Sequence, residues 1–160
     1  FDAAKSANDD GELYAPLAEE KGIALKVEAD TVAPVNGSRE LVSQALANLV
    51  DNAIKYAEPR GRVGDSPMPE IVVRAHREGD RVRLTVADNG PGIPEADRSR
   101  VLERFVRLEQ SRSQPGSGLG LSLAAAVARL HGGELTLADN APGLKSIIAL
   151  PRGGPVQMAG

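Results

Sequence analysis

The stretch Glu40-Leu-Val-Ser-Gln-Ala-Leu-Ala-Asn48-Leu-Val-Asp-Asn52-Ala-Ile-Lys55-Tyr56 decides how the chain is read. It follows Asn36-Gly37-Ser38, so Ser38 is the expected N-cap and Glu40 stands in the first turn beside the positive helix end. At about 100° per residue, Val42, Leu46, Leu49, Val50 and Ala53 form an apolar side, and Asn48, Asn52 and Lys55 fall within an arc of about 60° opposite it. Asparagine costs about half a kcal/mol against alanine inside a helix. Two amides one turn apart can offer two oxygens to a hard cation, which also keeps waters and substrate phosphates, and Lys55 can reach a phosphate. The same stripe suits a solvated helix face, and on the stripe alone both readings stand.

Downstream, Ile71, Val73 and Ala75 alternate with polar neighbours. Val82, Leu84 and Val86 do the same after Gly79-Asp80, which predicts an antiparallel hairpin with one covered face. The second strand runs into Asp88-Asn89-Gly90-Pro91-Gly92-Ile93. This is either a turn or a carboxylate acceptor for an exocyclic amine, with Gly90 and Gly92 admitting a ligand close to the backbone. A long irregular stretch follows from about Asp88 to Gly120, with one short helical piece around Arg98 to Arg107. Gly116-Ser117-Gly118-Leu119-Gly120-Leu121 then opens a helix expected over 121–130 and stopped by Gly132-Gly133. A glycine-rich segment feeding a helix start aims backbone N–H groups at an anion. It also serves as a hinge, and it matches neither a P-loop nor a dinucleotide fingerprint.

Upstream, a helix is expected from about Glu12 to Lys21, kinked or started late by Pro16 and stopped at Gly22, and a strand over 23–28. Residues 1–10, ending Ser-Ala-Asn-Asp-Asp, read as a linker or frayed start. Residues 58–70 are rich in turn formers. Strands over 134–138 and 144–150 close the domain around Asn140-Ala141-Pro142-Gly143, and residues 152–160 read as a loose tail. Helices and antiparallel strands are grouped rather than alternating. The expected fold is therefore an α/β two-layer sandwich, a mixed, mostly antiparallel sheet of about five strands covered by three helices, over residues 11–151.

Composition bounds the chemistry. The chain has 160 residues, 41% hydrophobic and 26% charged, which fits one globular domain. A net charge of −3 argues against a nucleic-acid partner. The absence of cysteine excludes disulfides, thiolate zinc sites and thiol nucleophiles, and two histidines, His76 and His131, exclude a histidine-rich metal site. Phe1, Tyr14, Tyr56 and Phe105 are the whole aromatic complement, so the core is aliphatic. No apolar run approaches the roughly 20 residues of a membrane span. No signal peptide is visible, and a start at Phe1 is expected of a fragment of a longer chain.

Taken in order, the Asn-x-x-x-Asn-x-x-Lys-Tyr helix, Asp-Asn-Gly-Pro-Gly-Ile, Glu-Arg-Phe-Val-Arg and Gly-Ser-Gly-Leu-Gly-Leu closely resemble the ATP-binding catalytic domain of sensor histidine kinases. That domain lies within the wider family of gyrase, Hsp90, histidine kinase and MutL ATPases. The resemblance spans about residues 10 to 151. It implies ATP and Mg²⁺ held under a mobile lid. Asn52, assisted by Asn48, would meet Mg²⁺, Lys55 would face phosphate, and Tyr56 completes that box. Asp88 would meet the adenine amine, with Gly90 and Gly92. Phe105 and Arg107 would form a phenylalanine box with the arginine on the γ-phosphate, and Gly116, Gly118, Leu119 and Gly120 would close the lid. The family's last glycine box reads Gly-x-Gly-Thr, and here Gly143-Leu144-Lys145-Ser146 departs from it.

The same resemblance implies phosphotransfer to a histidine. Related ATPases carry a water-activating Glu where this chain has Asn48, which cannot act as a base. Neither His76 nor His131 resembles a phosphoacceptor: the first is expected on a strand surface, the second beside a helix end. The acceptor is therefore expected on an upstream dimerisation domain, with a response regulator as the next partner. The parent would be homodimeric, cytoplasmic at this domain and open to membrane anchoring, and the isolated fragment monomeric. A degenerate module that only binds nucleotide ranks behind, because the main boxes are intact. A hydrolysing chaperone or topoisomerase module is disfavoured by Asn48 and by the small size. The polar, turn-rich run from about Pro94 to Gly118 has little to bury and is expected to be mobile without nucleotide.

Overall fold

A computed structural model describes residues 1–30, 32–57, 69–89, 119–140 and 143–153, with only the backbone for Tyr56, Ala57, Leu119, Gly120 and Asp139. The elements are α1 (Ala3–Glu20), β1 (Ala24–Ala29), α2 (Arg39–Ala57), β2 (Glu70–Glu78), β3 (Arg81–Asp88), α3 (Leu119–Leu130), β4 (Glu134–Asp139) and β5 (Leu144–Pro151). The strands form one sheet in the order β1-β2-β3-β5-β4. The β1–β2 pair is parallel and the other pairs are antiparallel. The expected α/β sandwich is thus present, with a five-stranded mixed sheet and three helices among the described residues.

Register explains the two layers. Side chains alternate across a strand. Leu25 and Val27 therefore align with Ile71 and Val73, Ala75 with Leu84, Leu84 with Ile148, and Val82 with Leu150 on one face. That face is buried together with Val42, Leu46, Leu49 and Val50 of α2 and Leu121, Ala124 and Ala128 of α3. The opposite face carries Lys26, Glu28, Arg74, His76 and Arg83, and the parallel register Glu28↔Arg74 makes an ion pair at 2.9 Å. The Arg74 guanidinium holds the Glu28 carboxyl below its ordinary pKa. Ser38 caps α2 as expected, its Oγ accepting the Leu41 N–H at 3.1 Å. The hairpin turns at Gly79-Asp80, and α3 ends before Gly132.

Residues 1–10 depart from the expected linker. Asp2 caps α1 by accepting the Ala4 N–H, and the helix runs from Ala3 straight through Pro16. Ala3, Ala4 and Ala7 are fully buried, and Ser6 and Asp10 are buried with them. Alanine contributes little to a hydrophobic pattern but allows close approach, and Gly11 continues that contact, since a Cβ there would overlap Val27. The chain start is also tied in: the Phe1 nitrogen donates to the Val35 carbonyl at 2.9 Å, and the Ala3 N–H to the Ala33 carbonyl at 2.8 Å. At the other end, Arg152 pairs with Val35, and the Gly153 N–H donates to the Pro34 carbonyl at 2.8 Å. The packed unit thus reaches beyond the expected 11–151 at both ends. The expected turns at 58–68, the helical piece at 98–107, the lid at 94–118 and the tail at 154–160 lie outside the described residues.

Candidate functional site

Two elements present the candidate residues. The first is α2, whose apolar side is buried as its spacing requires: Val42, Leu46, Leu49, Val50 and Ala53 are at most 5% exposed. Asn48 and Asn52 are half-buried on the remaining side, and Lys55 is exposed. Among the described residues, neither amide side chain makes a hydrogen bond. Lys55 pairs with Asp51 one turn back at 3.5 Å, both side chains about half exposed. Such a pair is worth little and gives way easily to a better anion.

The second is the end of β3. Asp88 is opposite Ile71 and continues the covered row Val82, Leu84, Val86, so its side chain enters the helix layer. It is 3% exposed. The backbone around it is fixed from both sides. On the β2 side, the Glu70 N–H donates to Asn89 Oδ1 at 2.9 Å and the Asn89 N–H donates to the Glu70 carbonyl at 3.3 Å. On the other side, Asn140 Nδ2 donates to the Asp88 carbonyl at 2.8 Å, and the Asn140 N–H donates to the Gly143 carbonyl at 3.1 Å. Gly143 has φ +110°, a conformation side chains rarely adopt, and a Cβ there would overlap the Asp88 carbonyl oxygen.

Asn140 and Gly143 as the support for Asp88 are the residues that sequence reasoning missed. The Gly143-Leu144-Lys145-Ser146 stretch, atypical as a glycine box, still supplies the one glycine this contact needs. Ser146 of the same stretch is buried and faces the covered layer beside Val86.

Leu119 and Gly120, the last members of the glycine-rich segment before Leu121, lie in the first turn of α3. Gly90, Gly92, Phe105, Arg107, Gly116 and Gly118 lie outside the described residues. Among the described residues no cluster of three or more His, Asp or Glu side chains could hold a metal ion. A cation here would depend on amide oxygens together with ligand phosphates and water. The half-buried, unbonded amides of Asn48 and Asn52 fit that donor set.

A different titratable group stands apart from these. Asp10 of α1 is buried against α2, where Ser43 Oγ donates to its carboxylate at 3.1 and 3.2 Å. Burial raises its pKa to about 6, with Ser43 opposing and Asp9 adding to the shift. It lines a cleft of about 530 Å³ between the starts of α1 and α2, with Lys5, Asp9, Arg39 and Glu40.

This arrangement has known relatives. A family model described as histidine kinase-, DNA gyrase B- and HSP90-like ATPase matches residues 37–154. MprB of Mycobacterium sp. (strain KMS), a signal transduction histidine-protein kinase/phosphatase, is 43% identical over 109 residues, covering 68% of this chain and 20% of that protein. A solved structure of a mycobacterial sensor histidine kinase MprB superimposes with a TM-score of 0.76 at 31% identity, covering 97% of this chain and 99% of that one. Full-length ShkA in complex with AMPPNP superimposes with a TM-score of 0.79 at 24% identity, covering 98% of this chain and 31% of that one. The chain belongs to the family of histidine kinase-, DNA gyrase B- and HSP90-like ATPases, and within it is a histidine kinase ATPase domain. It spans about a fifth of the length of the MprB protein it matches. Among the described residues, no helix is long and apolar enough to cross a membrane.

Proposed function

We propose that this domain binds Mg²⁺-ATP between α2 and the end of β3 and presents the γ-phosphate to a histidine on a separate dimerisation domain of its parent. The observation that carries the reading is the pairing of a buried Asp88, its backbone held from both sides, with a helix whose half-buried amides are unbonded among the described residues. Asp88 accepts a hydrogen bond from the adenine amine, and Gly90 and Gly92 let the base approach the backbone. Asn52 and Asn48 hold Mg²⁺, which when bound neutralises phosphate charge. Lys55 leaves Asp51 for the phosphates. Tyr56, Phe105 and Arg107 complete the pocket, with Arg107 on the γ-phosphate. Gly116, Gly118, Leu119 and Gly120 bring backbone N–H groups and the α3 dipole to the phosphate chain. The work is positioning and charge neutralisation, and the nucleophile comes from outside.

Both histidines of this chain are engaged otherwise, which supports an external acceptor. His76 lies 3.5 Å from Asp30 on the open sheet face, and the two ring nitrogens of His131 meet Ser38 and Val127. The parent would be a cytoplasm-facing homodimer that relays phosphate to a response regulator. The test is labelled ATP added to the domain alone and then with the upstream dimerisation helices. The domain alone stays unlabelled, and the helices acquire label slowly, since no tether raises the effective concentration. Stable label on His76 or His131 contradicts the reading.

A further inference from the structure

Ser38 starts α2 with a cap that the local sequence leaves incomplete. Its Oγ accepts the Leu41 N–H and its carbonyl accepts the Val42 N–H, each at 3.1 Å. In a capping box the third helical residue is Glu or Gln, and its side chain accepts the cap residue's own N–H. Here that position is Leu41, which has no acceptor. The acceptor comes from the turn after α3: His131 Nε2 accepts the Ser38 N–H at 3.1 Å. The other ring nitrogen stands 2.8 Å from the Val127 carbonyl. A carbonyl can only accept and an amide N–H can only donate, so both contacts hold together in one form of the ring, neutral with the proton on Nδ1.

Gly37 makes room for it. Its φ is +142°, and a Cβ there would overlap His131 Cδ2. No charged side chain pairs with His131 among the described residues. The charges that face it are the helix ends, the amino end of α2 and the carboxyl end of α3.

We propose that His131 is a positioning residue for nucleotide binding. It fastens the start of α2, the helix of Asn48, Asn52 and Lys55, to the turn that ends α3, the helix that opens at Leu119 and Gly120. The neutral ring, with its proton on Nδ1, closes this joint. The inference rests on the nucleotide-site reading above.

The test begins without nucleotide. In the ¹⁵N-labelled domain, long-range ring spectra at pH 7.5 show His131 protonated on Nδ1 and bare on Nε2, with His76 as the internal control. A through-hydrogen-bond coupling between the Ser38 amide and His131 Nε2 marks the contact. Mg²⁺-ATP titrations then follow. His131→Ala raises Kd about three- to tenfold, the scale of one lost hydrogen bond. His131→Gln, whose Oε1 can accept the Ser38 N–H, recovers most of it.

An Nε2-protonated ring, a Ser38 amide uncoupled from His131 Nε2, or wild-type affinity in His131→Ala overturns the proposal. If His131→Ala fails to fold, the wild-type ring spectrum decides. Failure of the wild type to bind ATP overturns the nucleotide-site reading, and with it the role for this joint, while the ring spectrum still reports whether the joint exists.

Discussion

The end of β3 and the polar stripe of α2 are built in opposite ways. Around Asp88 the backbone is held from β2 through Asn89 and from the turn before β5 through Asn140 and Gly143. Among the described residues, Asn48 and Asn52 on α2 have no protein partner, and Lys55 has an exposed ion pair with Asp51. The difference matches what the proposed function asks of each side. Telling one base from another requires an acceptor that cannot move to suit the wrong one, because the rejection comes from polar groups left unpaired. Holding a cation and phosphates requires donors not already committed to the fold. On that reading the held side contributes to stability and the free side to ligand binding.

Four substitutions break or sharpen that contrast. Gly143→Ala attacks the held side. A side chain at φ +110° that also overlaps the Asp88 carbonyl lowers unfolding free energy by about 3 kcal/mol, measured by urea denaturation. Asn52→Ala attacks the free side. It weakens Mg²⁺-ATP binding on the order of a hundredfold while leaving the denaturation midpoint nearly unchanged, because the amide makes no hydrogen bond among the described residues.

Asp10→Asn sharpens the contrast with a buried carboxylate that lies away from the proposed site. The folded pKa of about 6 exceeds the ordinary 3.8, so the folded state binds the extra proton between those values and stability falls as pH rises through that window. The asparagine variant, still able to accept from Ser43, is about 2 kcal/mol more stable at pH 7, and the gain vanishes below pH 3.8. Asp51→Asn releases Lys55 from an exposed pair. It changes stability by less than about 0.5 kcal/mol and ATP affinity by less than about threefold at physiological salt.

Much of this was legible in the sequence where the signal is local. The β2–β3 hairpin, its Gly79-Asp80 turn, the Ser38 cap and the apolar side of α2 all follow from spacing, and they lie where expected. Residues 1–10 misled because the buried row is alanine among polar neighbours, and a small side chain reads as neither core nor surface. The support of Asp88 was illegible for another reason. Asn140 lies 52 residues from Asp88, and Ser38 lies 93 from His131. No local pattern announces a hydrogen bond closed by the fold. Gly143 read as a turn former and as a flawed glycine box, and its contact with the Asp88 carbonyl is visible only in three dimensions.

The most direct test of the contrast is a calorimetric titration of the wild-type domain and Asp88→Ala with Mg²⁺-ATP and Mg²⁺-GTP. A fixed, buried acceptor at Asp88 favours the base that presents an amine over the base that presents a carbonyl. The wild type should prefer ATP on the order of a hundredfold or more, and Asp88→Ala should lose that preference. Equal binding of ATP and GTP by the wild type would contradict the account.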